Sequence, residues 1–265
     1  MDLFTGLERA IASFHRIASR MSHMIRQSDE VLLRDNQRYW EDQSNESYES
    51  FSHWRGKGPF INDELWLSLG LAHLNLFEKA AALVGFHRPM ERIVEWGCGG
   101  GMNAVHFAPH TRQYYGVDIS GDSLKECAKQ VESVRPGVFL PIKIDAADPH
   151  AACAQISRSV DLFLCTYVFE LIPSPEYGLQ LMQIAYELLR PEGIALIQIR
   201  YHRSYIDELS KRRNYARNIT CMTTYALDEF WIACQQIGFT PMFIKLLPKQ
   251  PELNESRYAY YAMVK

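Results

Sequence analysis

The spacing of apolar residues changes near residue 89 and divides the chain into two regions. In the first region, hydrophobic side chains recur every three or four positions, at Leu3, Leu7, Ile11, Phe14 and Ile17. A second helix is predicted over 22–40 and a third from a cap at Asn62 to about Gly85, with a polar, acidic loop at 41–50 between them. Residues 1–88 are therefore predicted to form a helical accessory region.

Beyond residue 89, short apolar runs alternate with helical patterns, which predicts a parallel sheet with helices on its faces. Five such runs begin near residues 91, 113, 138, 159 and 194, and two more cover 238–247 and 258–264. A basic, tyrosine-rich stretch at about 202–224 follows the fifth run and is interpreted as an insertion that covers a substrate. The core domain is predicted to span 89–265.

The most informative segment is the first apolar run and the turn after it. The run reaches an acidic residue, Glu95, and glycines follow at positions 97, 99, 100 and 101. Gly97 and Gly99 can adopt positive φ, and without Cβ atoms they allow a ligand to approach the backbone. A helix predicted over 102–107 would present its free N–H groups to that ligand. The pattern indicates a nucleotide-like ligand at the carboxyl end of a parallel strand.

The order of acid and glycines indicates which ligand it is. A dinucleotide fingerprint needs glycine or alanine at its sixth position, which is Met102 counted from Gly97 and Ala104 counted from Gly99. The acid-first pattern Glu95-x-Gly97-x-Gly99-x-Gly101 fits without a mismatch. It resembles motif I of the class I S-adenosylmethionine-dependent methyltransferases, in which the acidic residue lies near the methionine part of the cofactor.

The resemblance extends over about 91–200. Asp118 ends the second run, 23 residues after Glu95, at a position where a carboxylate can accept hydrogen bonds from ribose hydroxyls. The segment 159–173 resembles motif IV, and 187–198 resembles the helix end and fifth strand of the family. The resemblance implies these cofactor-binding residues: Glu95, Gly97, Gly99, Gly101, Asp118, Ile119 against adenine, Asp145 at the adenine amino group, Ala146 at a ring nitrogen, and Thr166.

Two of these residues have other interpretations. Asp118 is close enough to Ser120 and Asp122 to act as a cap for the next helix. Asp145 is also typical of an ordinary turn.

The resemblance also implies a fold. We expect an α/β architecture with a Rossmann-like, seven-stranded, mostly parallel sheet, helices on both faces, an antiparallel C-terminal hairpin and an N-terminal helical lid. The loop at 48–60 contains aromatic residues, a histidine and two cations. By analogy with lids of the family, Arg55 or Lys57 pairs with the methionine carboxylate and Trp54 walls the site. Alternatively, the two cations are solvated, while Trp54 and Phe60 anchor the loop.

A base is needed only if the acceptor must lose a proton of high pKa. His202, at the carboxyl end of the fifth strand, is the first candidate, because its unperturbed pKa lies near working pH. His53 in the lid loop is the second, and His106 is expected to pack. A structural role is the alternative for each histidine.

Composition narrows the function further. The 265 residues are 47% hydrophobic and 22% charged, which is typical of a globular enzyme. A net charge of −3 lacks the excess of basic residues that is typical of nucleic-acid-binding proteins, so a nucleic-acid substrate is disfavoured. No apolar run reaches the roughly 18 residues that span a membrane, and no leader is evident. Six scattered cysteines without a C-x-x-C pair suggest reduced thiols in the cytoplasm and no metal site.

The sequence therefore predicts an S-adenosylmethionine-dependent methyltransferase that acts on a small organic acceptor. Oxygen, nitrogen and carbon acceptors remain open, and so does a homodimer. Two other functions are considered: a methyltransferase-fold protein with other chemistry or a binding role, and an NAD(P)-dependent oxidoreductase. The second lacks a full dinucleotide fingerprint.

Overall fold

A computed structural model describes residues 27–42, 44–45, 47–86, 90–202, 214–217, 219, 222–248 and 257–265. The amphipathic stripe predicted at 3–17 lies outside the described residues, as does most of the predicted insertion at 202–224. The accessory region contains α1 (Asp29–Glu41), α2 (Ser47–Phe51) and α3 (Asp63–Leu83), with a 3₁₀ turn at Gly58–Phe60. Phe60 and Trp66 are buried together beside the glycine turn, so this region is anchored on the core.

The core is one seven-stranded sheet. Its strands are β1 (Met90–Trp96), β2 (Thr111–Asp118), β3 (Phe139–Lys143), β4 (Val160–Cys165), β5 (Leu189–Arg200), β6 (Thr240–Leu246) and β7 (Tyr258–Val264). They lie in the order β3-β2-β1-β4-β5-β7-β6. The first five are parallel, whereas β7 runs antiparallel to both β5 and β6. The mostly parallel sheet and the C-terminal hairpin are both confirmed.

Both faces of the sheet are covered. Side chains alternate along each strand, so Ile93 and Val94 of β1 enter opposite layers of the core. Val94 packs in the layer of α6 (Pro175–Leu188) and α7 (Leu227–Ile237). Ile93 packs in the layer of α3 and α5 (Gly121–Glu132). Strands buried on both faces explain why the sequence shows continuous apolar runs.

The helix after the glycine turn, α4 (Ala104–Phe107), is only four residues long. It ends at the predicted residue 107 but begins two residues later than the predicted 102, because Met102 and Asn103 still belong to the turn. Pro109 follows in a 3₁₀ turn at Ala108–His110. Its N-terminus is therefore a weak dipole, and side chains must provide much of the polarity at this site. Among the described helices, none is both long and apolar enough to cross a membrane.

Candidate active site

A cavity opens where β1, β2 and β4 end, beneath the accessory region. Its space measures about 830 Å³ including the mouth, within the range of small-ligand sites. The accessory region contributes Trp40 and residues 51–53 to one wall. Residues that the sequence assigned to the cofactor form much of the opposite wall: Glu95, Gly97, Gly99, Asp118, Ile119 and, just after β4, Thr166.

Asp118 ties the end of β2 to the glycine turn. One carboxylate oxygen accepts from the N–H of Gly99 at 2.9 Å, and the other accepts from the N–H of Ser120 at 2.8 Å. Burial raises the pKa of Asp118 to about 6, although these backbone donors act in the opposite direction. The cap of α5 is Ser120, whose hydroxyl accepts from the N–H of Ser123, so the alternative role of Asp118 as that cap is wrong.

Glu95 lies at the other side of the turn and is 2% exposed. Its carboxylate accepts from Asn103 Nδ2 at 2.7 Å and from the Tyr114 hydroxyl at 2.6 Å. Burial raises the pKa of Glu95 to about 7, despite the opposing effect of these two donors. The two hydrogen bonds are therefore what favours the charged form of Glu95 at this buried position.

The three glycines of the motif differ in what surrounds them. All three have positive φ: 72° at Gly97, 50° at Gly99 and 88° at Gly101. A Cβ at Gly97 would lie 2.3 Å from Val168, and one at Gly99 would lie 2.4 Å from the carbonyl oxygen of Ser52. Gly101 faces α5 instead of the cavity, so its missing side chain permits packing and does not contact a ligand directly.

The loop after α2 closes over the glycine turn through its main chain. The N–H of Gly100 donates to the carbonyl oxygen of Ser52 at 2.7 Å. Trp54 Nε1 donates to the Ser123 hydroxyl at 3.2 Å, which anchors the loop on α5, and Trp54 does not line the cavity. The loop is therefore docked on the core.

Arg55 lies away from the cavity, at the surface of the accessory region. Its guanidinium donates to both carboxylate oxygens of Asp63, at 2.7 and 2.5 Å. The second cation of this loop, Lys57, pairs with Glu49 at 2.5 Å. Both are thus engaged by acidic neighbours of the accessory region, and the predicted contact of Arg55 with a methionine carboxylate is not formed in this arrangement.

His53 lines the cavity in a left-handed backbone conformation, with φ of 54°. Its ring lies 4.5 Å from that of Tyr167 and 5.0 Å from that of Phe60, both edge-on. Desolvation by the surrounding protein lowers the pKa of His53 to about 3. The imidazole is therefore neutral near pH 7 and can accept a hydrogen bond, but it binds a proton only weakly.

Tyr167 follows β4 and is also left-handed, with φ of 59°. Its N–H donates to Gln198 Oε1 on β5 at 2.7 Å, and Gln198 is fully buried. Strained backbone of this kind is concentrated at functional sites, where neighbours hold it in place. The adjacent Thr166 is buried and lines the cavity, so motif IV does reach the site.

Asp145 and Ala146, at the end of β3, do not line the cavity. Asp145 is exposed and accepts from the N–H of Ala147 at 2.8 Å, the turn geometry given as its alternative role. The N–H of Ala146, predicted to face adenine, instead donates to Gln37 Oε1 on α1 at 2.9 Å. The accessory region thus occupies the donor that the sequence assigned to a ligand.

His202, the first candidate base, lies outside the cavity. Its ring Nδ1 is 3.1 Å from the hydroxyl of Thr224, and its backbone N–H donates to the carbonyl oxygen of Tyr225. It follows β5, as predicted, but β5 is next to β7 and ends beyond the wall of the site. His106 is half-buried against α3, in agreement with a packing role.

Several residues that contact the motifs have little or no signal in the sequence. They are Asn103, His73, Gln37 and Gln198. Asn103 stands two positions after Gly101, which is a usable local signal. The other three come from α3, α1 and β5, and no pattern in the sequence connects them to the glycine turn.

One cluster elsewhere has metal-ligand chemistry. Atoms of His150, Cys153 and Glu187 lie within 4.8 Å of one another, although the sequence shows no metal-ligand spacing. The Glu187 carboxylate already pairs with His150 at 2.9 Å and with the guanidinium of Arg158. The cluster lies outside the cavity.

The charge of the cavity limits what it can bind. Two carboxyl groups line it, the buried Glu95 and the half-buried Asp118, and no lysine or arginine is among the described residues of its wall. Apolar side chains, including Ile119, Ile144 and Val168, form much of the remaining surface. The residues therefore fit a ligand that carries positive charge, hydroxyl groups and a flat apolar part, and they disfavour an anionic one.

Comparison with known proteins gives a consistent result. The sequence model of a family described as "Methyltransferase domain" matches residues 71–242. A ubiquinone biosynthesis O-methyltransferase of Chromobacterium violaceum is 27% identical over 120 residues, which is 45% of this chain and 47% of that protein. The chain thus spans less than half the length of this curated relative.

Solved structures share the fold. Magnesium protoporphyrin IX methyltransferase from Synechocystis PCC 6803, with bound SAH, superposes with a TM-score of 0.60 at 14% identity, over 90% of this chain and 100% of that one. A [4+2]-cyclase superposes with a TM-score of 0.54 at 13% identity, over 72% of this chain and 80% of that one. At such low identity these likenesses concern the fold alone.

Proposed function

The chain belongs to the methyltransferase-domain family, within the class I S-adenosylmethionine-dependent superfamily, and from that premise we propose that it transfers a methyl group from S-adenosylmethionine to a hydroxyl of a small aromatic acceptor. The observation that carries this proposal is the charge of the cavity. Glu95, which is buried, and Asp118, which is half-buried, line its wall, and no described lysine or arginine lines it with them.

That charge favours the proposed cofactor over the alternative. S-adenosylmethionine carries a sulfonium and an ammonium group, which two carboxylates attract, and ribose hydroxyls, which carboxylates accept from. A nicotinamide dinucleotide carries an anionic pyrophosphate, which the same carboxylates repel. The incomplete dinucleotide fingerprint also argues against a nicotinamide dinucleotide. So does the four-residue α4, because so short a helix offers only a weak dipole to a pyrophosphate.

S-adenosylmethionine supplies a methyl group that is already activated by its sulfonium. The protein then has to bind, align and exclude water. We assign the ribose hydroxyls to Asp118, the adenine face to Ile119 and the methionine end to Glu95. Thr166 and Tyr167 flank the space that remains for the acceptor, and the lid loop at Ser52 closes it.

His53 is the residue best placed to meet an acceptor hydroxyl. It lines the cavity, and its imidazole is neutral because the surrounding protein lowers its pKa to about 3. Such a group orients a hydroxyl by accepting its proton in a hydrogen bond, while full proton transfer would require a higher pKa on acceptor binding. The aromatic rings of Phe51 and Tyr167 favour a flat acceptor. The O-methyltransferase named above supports the same class.

The fold by itself leaves a second function open. A [4+2]-cyclase shares the architecture, so cofactor binding without methyl transfer is the principal alternative. It would require the cavity to bind S-adenosylhomocysteine while no acceptor is methylated.

We further propose that residues 1–88 act as a lid on a core of 89–265, with an insertion at about 202–224, and that the protein works in the cytoplasm. The five described cysteines are free thiols, which supports a reducing compartment. The absence of a nucleic-acid partner and the homodimer remain predictions.

The proposal is tested by calorimetric titration with S-adenosylhomocysteine and, separately, with NADH. We expect micromolar binding of the first and none of the second. Transfer of a radiolabelled methyl group to a panel of phenols and catechols then tests the chemistry. Binding of S-adenosylhomocysteine without transfer to any acceptor would favour the second function, and binding of neither ligand would remove the proposal.

A further inference from the structure

Helix α3 of the accessory region brings a histidine beneath the glycine turn. Gly70 allows this approach, because a Cβ there would lie 2.2 Å from the carbonyl oxygen of Met102. One turn later on the same face, His73 is 3% exposed. Its Nδ1 lies 2.6 Å from Asn103 Oδ1, and its Nε2 lies 2.5 Å from the hydroxyl of Tyr260 on β7.

The partners of Asn103 determine which way this chain of hydrogen bonds runs. Its Nδ2 donates to Glu95 at 2.7 Å and to the hydroxyl of Thr166 at 2.9 Å. Both amide protons are then used, and Oδ1 can only accept. His73 must therefore carry its proton on Nδ1, and its Nε2 accepts from Tyr260.

Reversing the direction of these hydrogen bonds would require Glu95 to be protonated. If the Asn103 amide turned over, its oxygen would face the Glu95 carboxylate, and the contact would hold only with Glu95 protonated. The proton on His73 would then move to Nε2, so that Nδ1 could accept from the amide. The tautomer of His73 and the charge of Glu95 are thus coupled through one amide group.

We propose that His73 is a positioning residue: its Nδ1–H tautomer fixes the Asn103 amide, so that Glu95 is kept ionised toward the methionine end of the cofactor. This inference rests on the proposed function, because Glu95 is assigned to the cofactor there. His73 does not line the cavity and acts through Asn103. The sequence gives no sign of it.

The test compares two ligands that differ only at the methionine end. S-adenosylhomocysteine has an ammonium and a carboxylate there, whereas 5′-methylthioadenosine has neither. His73→Leu should weaken S-adenosylhomocysteine about tenfold and leave methylthioadenosine within about threefold. A general loss of structure would weaken both equally.

Two variants separate the two hydrogen bonds of the ring. His73→Asn places an amide N–H where Nδ1–H was, so it should restore most of the affinity for S-adenosylhomocysteine. His73→Gln reaches the position of Nε2 instead and should resemble His73→Leu. If all three fail to fold, Tyr260→Phe removes a single hydroxyl from the chain and should weaken S-adenosylhomocysteine about threefold, again without an effect on methylthioadenosine.

Equal losses for both ligands, or unchanged affinity in a folded His73→Leu, would overturn the inference while the proposed function stands. The same holds if only Tyr260→Phe folds and its affinity is unchanged. Wild-type protein that binds neither ligand would remove the proposed function, and the inference with it.

Discussion

The N–H of Ala146, at the end of β3, donates a hydrogen bond to Oε1 of Gln37 on α1, 2.9 Å away. The two residues are 109 positions apart in the sequence. The bond joins the accessory region to the edge of the sheet where adenine is expected, so Gln37 would compete with the proposed nucleobase for one donor.

Replacing Gln37 should therefore help the cofactor. We expect Gln37→Ala to tighten binding of S-adenosylhomocysteine about two- to fivefold, because Ala146 then has a free N–H for the adenine ring. Calorimetric titration measures this change. Arg38→Ala, at an exposed neighbour on the same helix, is the matched control. Weaker binding in Gln37→Ala would mean that the side chain stays in place, or itself holds the ligand.

Asp118 and Asp145 should differ sharply in their contribution to affinity. Asp118 lines the cavity, so Asp118→Ala should weaken S-adenosylhomocysteine about ten- to a hundredfold, through the ribose hydroxyls and the glycine turn. Asp145 is exposed, and Asp145→Ala should change affinity by less than about threefold. Equal losses would restore Asp145 to the adenine contact predicted from the sequence.

The two candidate histidines are separated by turnover. His53→Ala should lower kcat with catechol as acceptor by about ten- to a hundredfold and leave the affinity for S-adenosylhomocysteine unchanged, because the proposed role of the ring is to orient the acceptor. His202→Ala should keep kcat within about twofold, because His202 lies outside the cavity. The reverse ranking would return the role of base to His202 and place the acceptor beyond β5.

Arg55 should matter little for the cofactor. Its ion pair with Asp63 lies at the surface, with 35% and 55% of the two side chains exposed, and such pairs contribute about 0–1 kcal/mol. Arg55→Ala and Asp63→Ala should therefore both leave affinity for S-adenosylhomocysteine within about threefold. A selective loss in Arg55→Ala, with adenosine unaffected, would show that the guanidinium leaves Asp63 to bind the methionine carboxylate.

Glu95 makes stability depend on pH. Its folded pKa of about 7 lies above the ordinary 4.5, so between these values the native state holds a proton that the unfolded chain releases. Its contribution to the free energy of unfolding therefore falls as pH rises from about 4.5 to 7, by about 3 kcal/mol in all.

The measurement compares urea unfolding of wild type and Glu95→Gln from pH 5 to 8. The difference between the two curves should change from pH 5 to about 7 and level off toward pH 8. Glu91→Gln replaces an exposed carboxyl on the same strand, and its curve should stay parallel to that of wild type. Asp118, Tyr114 and His73 surround Glu95 in all three proteins, so their own titration largely cancels in the difference. Parallel curves for wild type and Glu95→Gln would contradict the raised pKa.

Features that depend on local pattern are predictable from the sequence. Strand ends and the glycine turn follow from apolar runs and residue type, so the sequence alone suffices to bring Glu95, Gly97, Gly99 and Asp118 together. Contacts that depend on packing between distant elements could not be predicted in this way. Gln37 reaches Ala146, and His73 reaches Asn103, only because α1 and α3 lie where they do.

Misplaced candidates have a similar origin. His202 follows β5 as predicted, yet distance along the sheet, rather than position at a strand end, decides what reaches the cavity. Arg55 carries the expected charge, but the carboxylate of Asp63, eight residues away, accepts hydrogen bonds from both Nε and Nη2 of its guanidinium. A cation in a loop is paired first by its near neighbours, and no pattern in the sequence shows which partner it has.

The hydrogen bond from the Gly100 N–H to the carbonyl oxygen of Ser52 joins two main-chain groups. No side chain takes part, so position 52 is open to replacement without loss of that closure. Substitutions at position 52 would change the shape of the cavity entrance, while the main-chain hydrogen bond between residues 100 and 52 persists. Position 52 is therefore the first one to vary when a different acceptor is wanted.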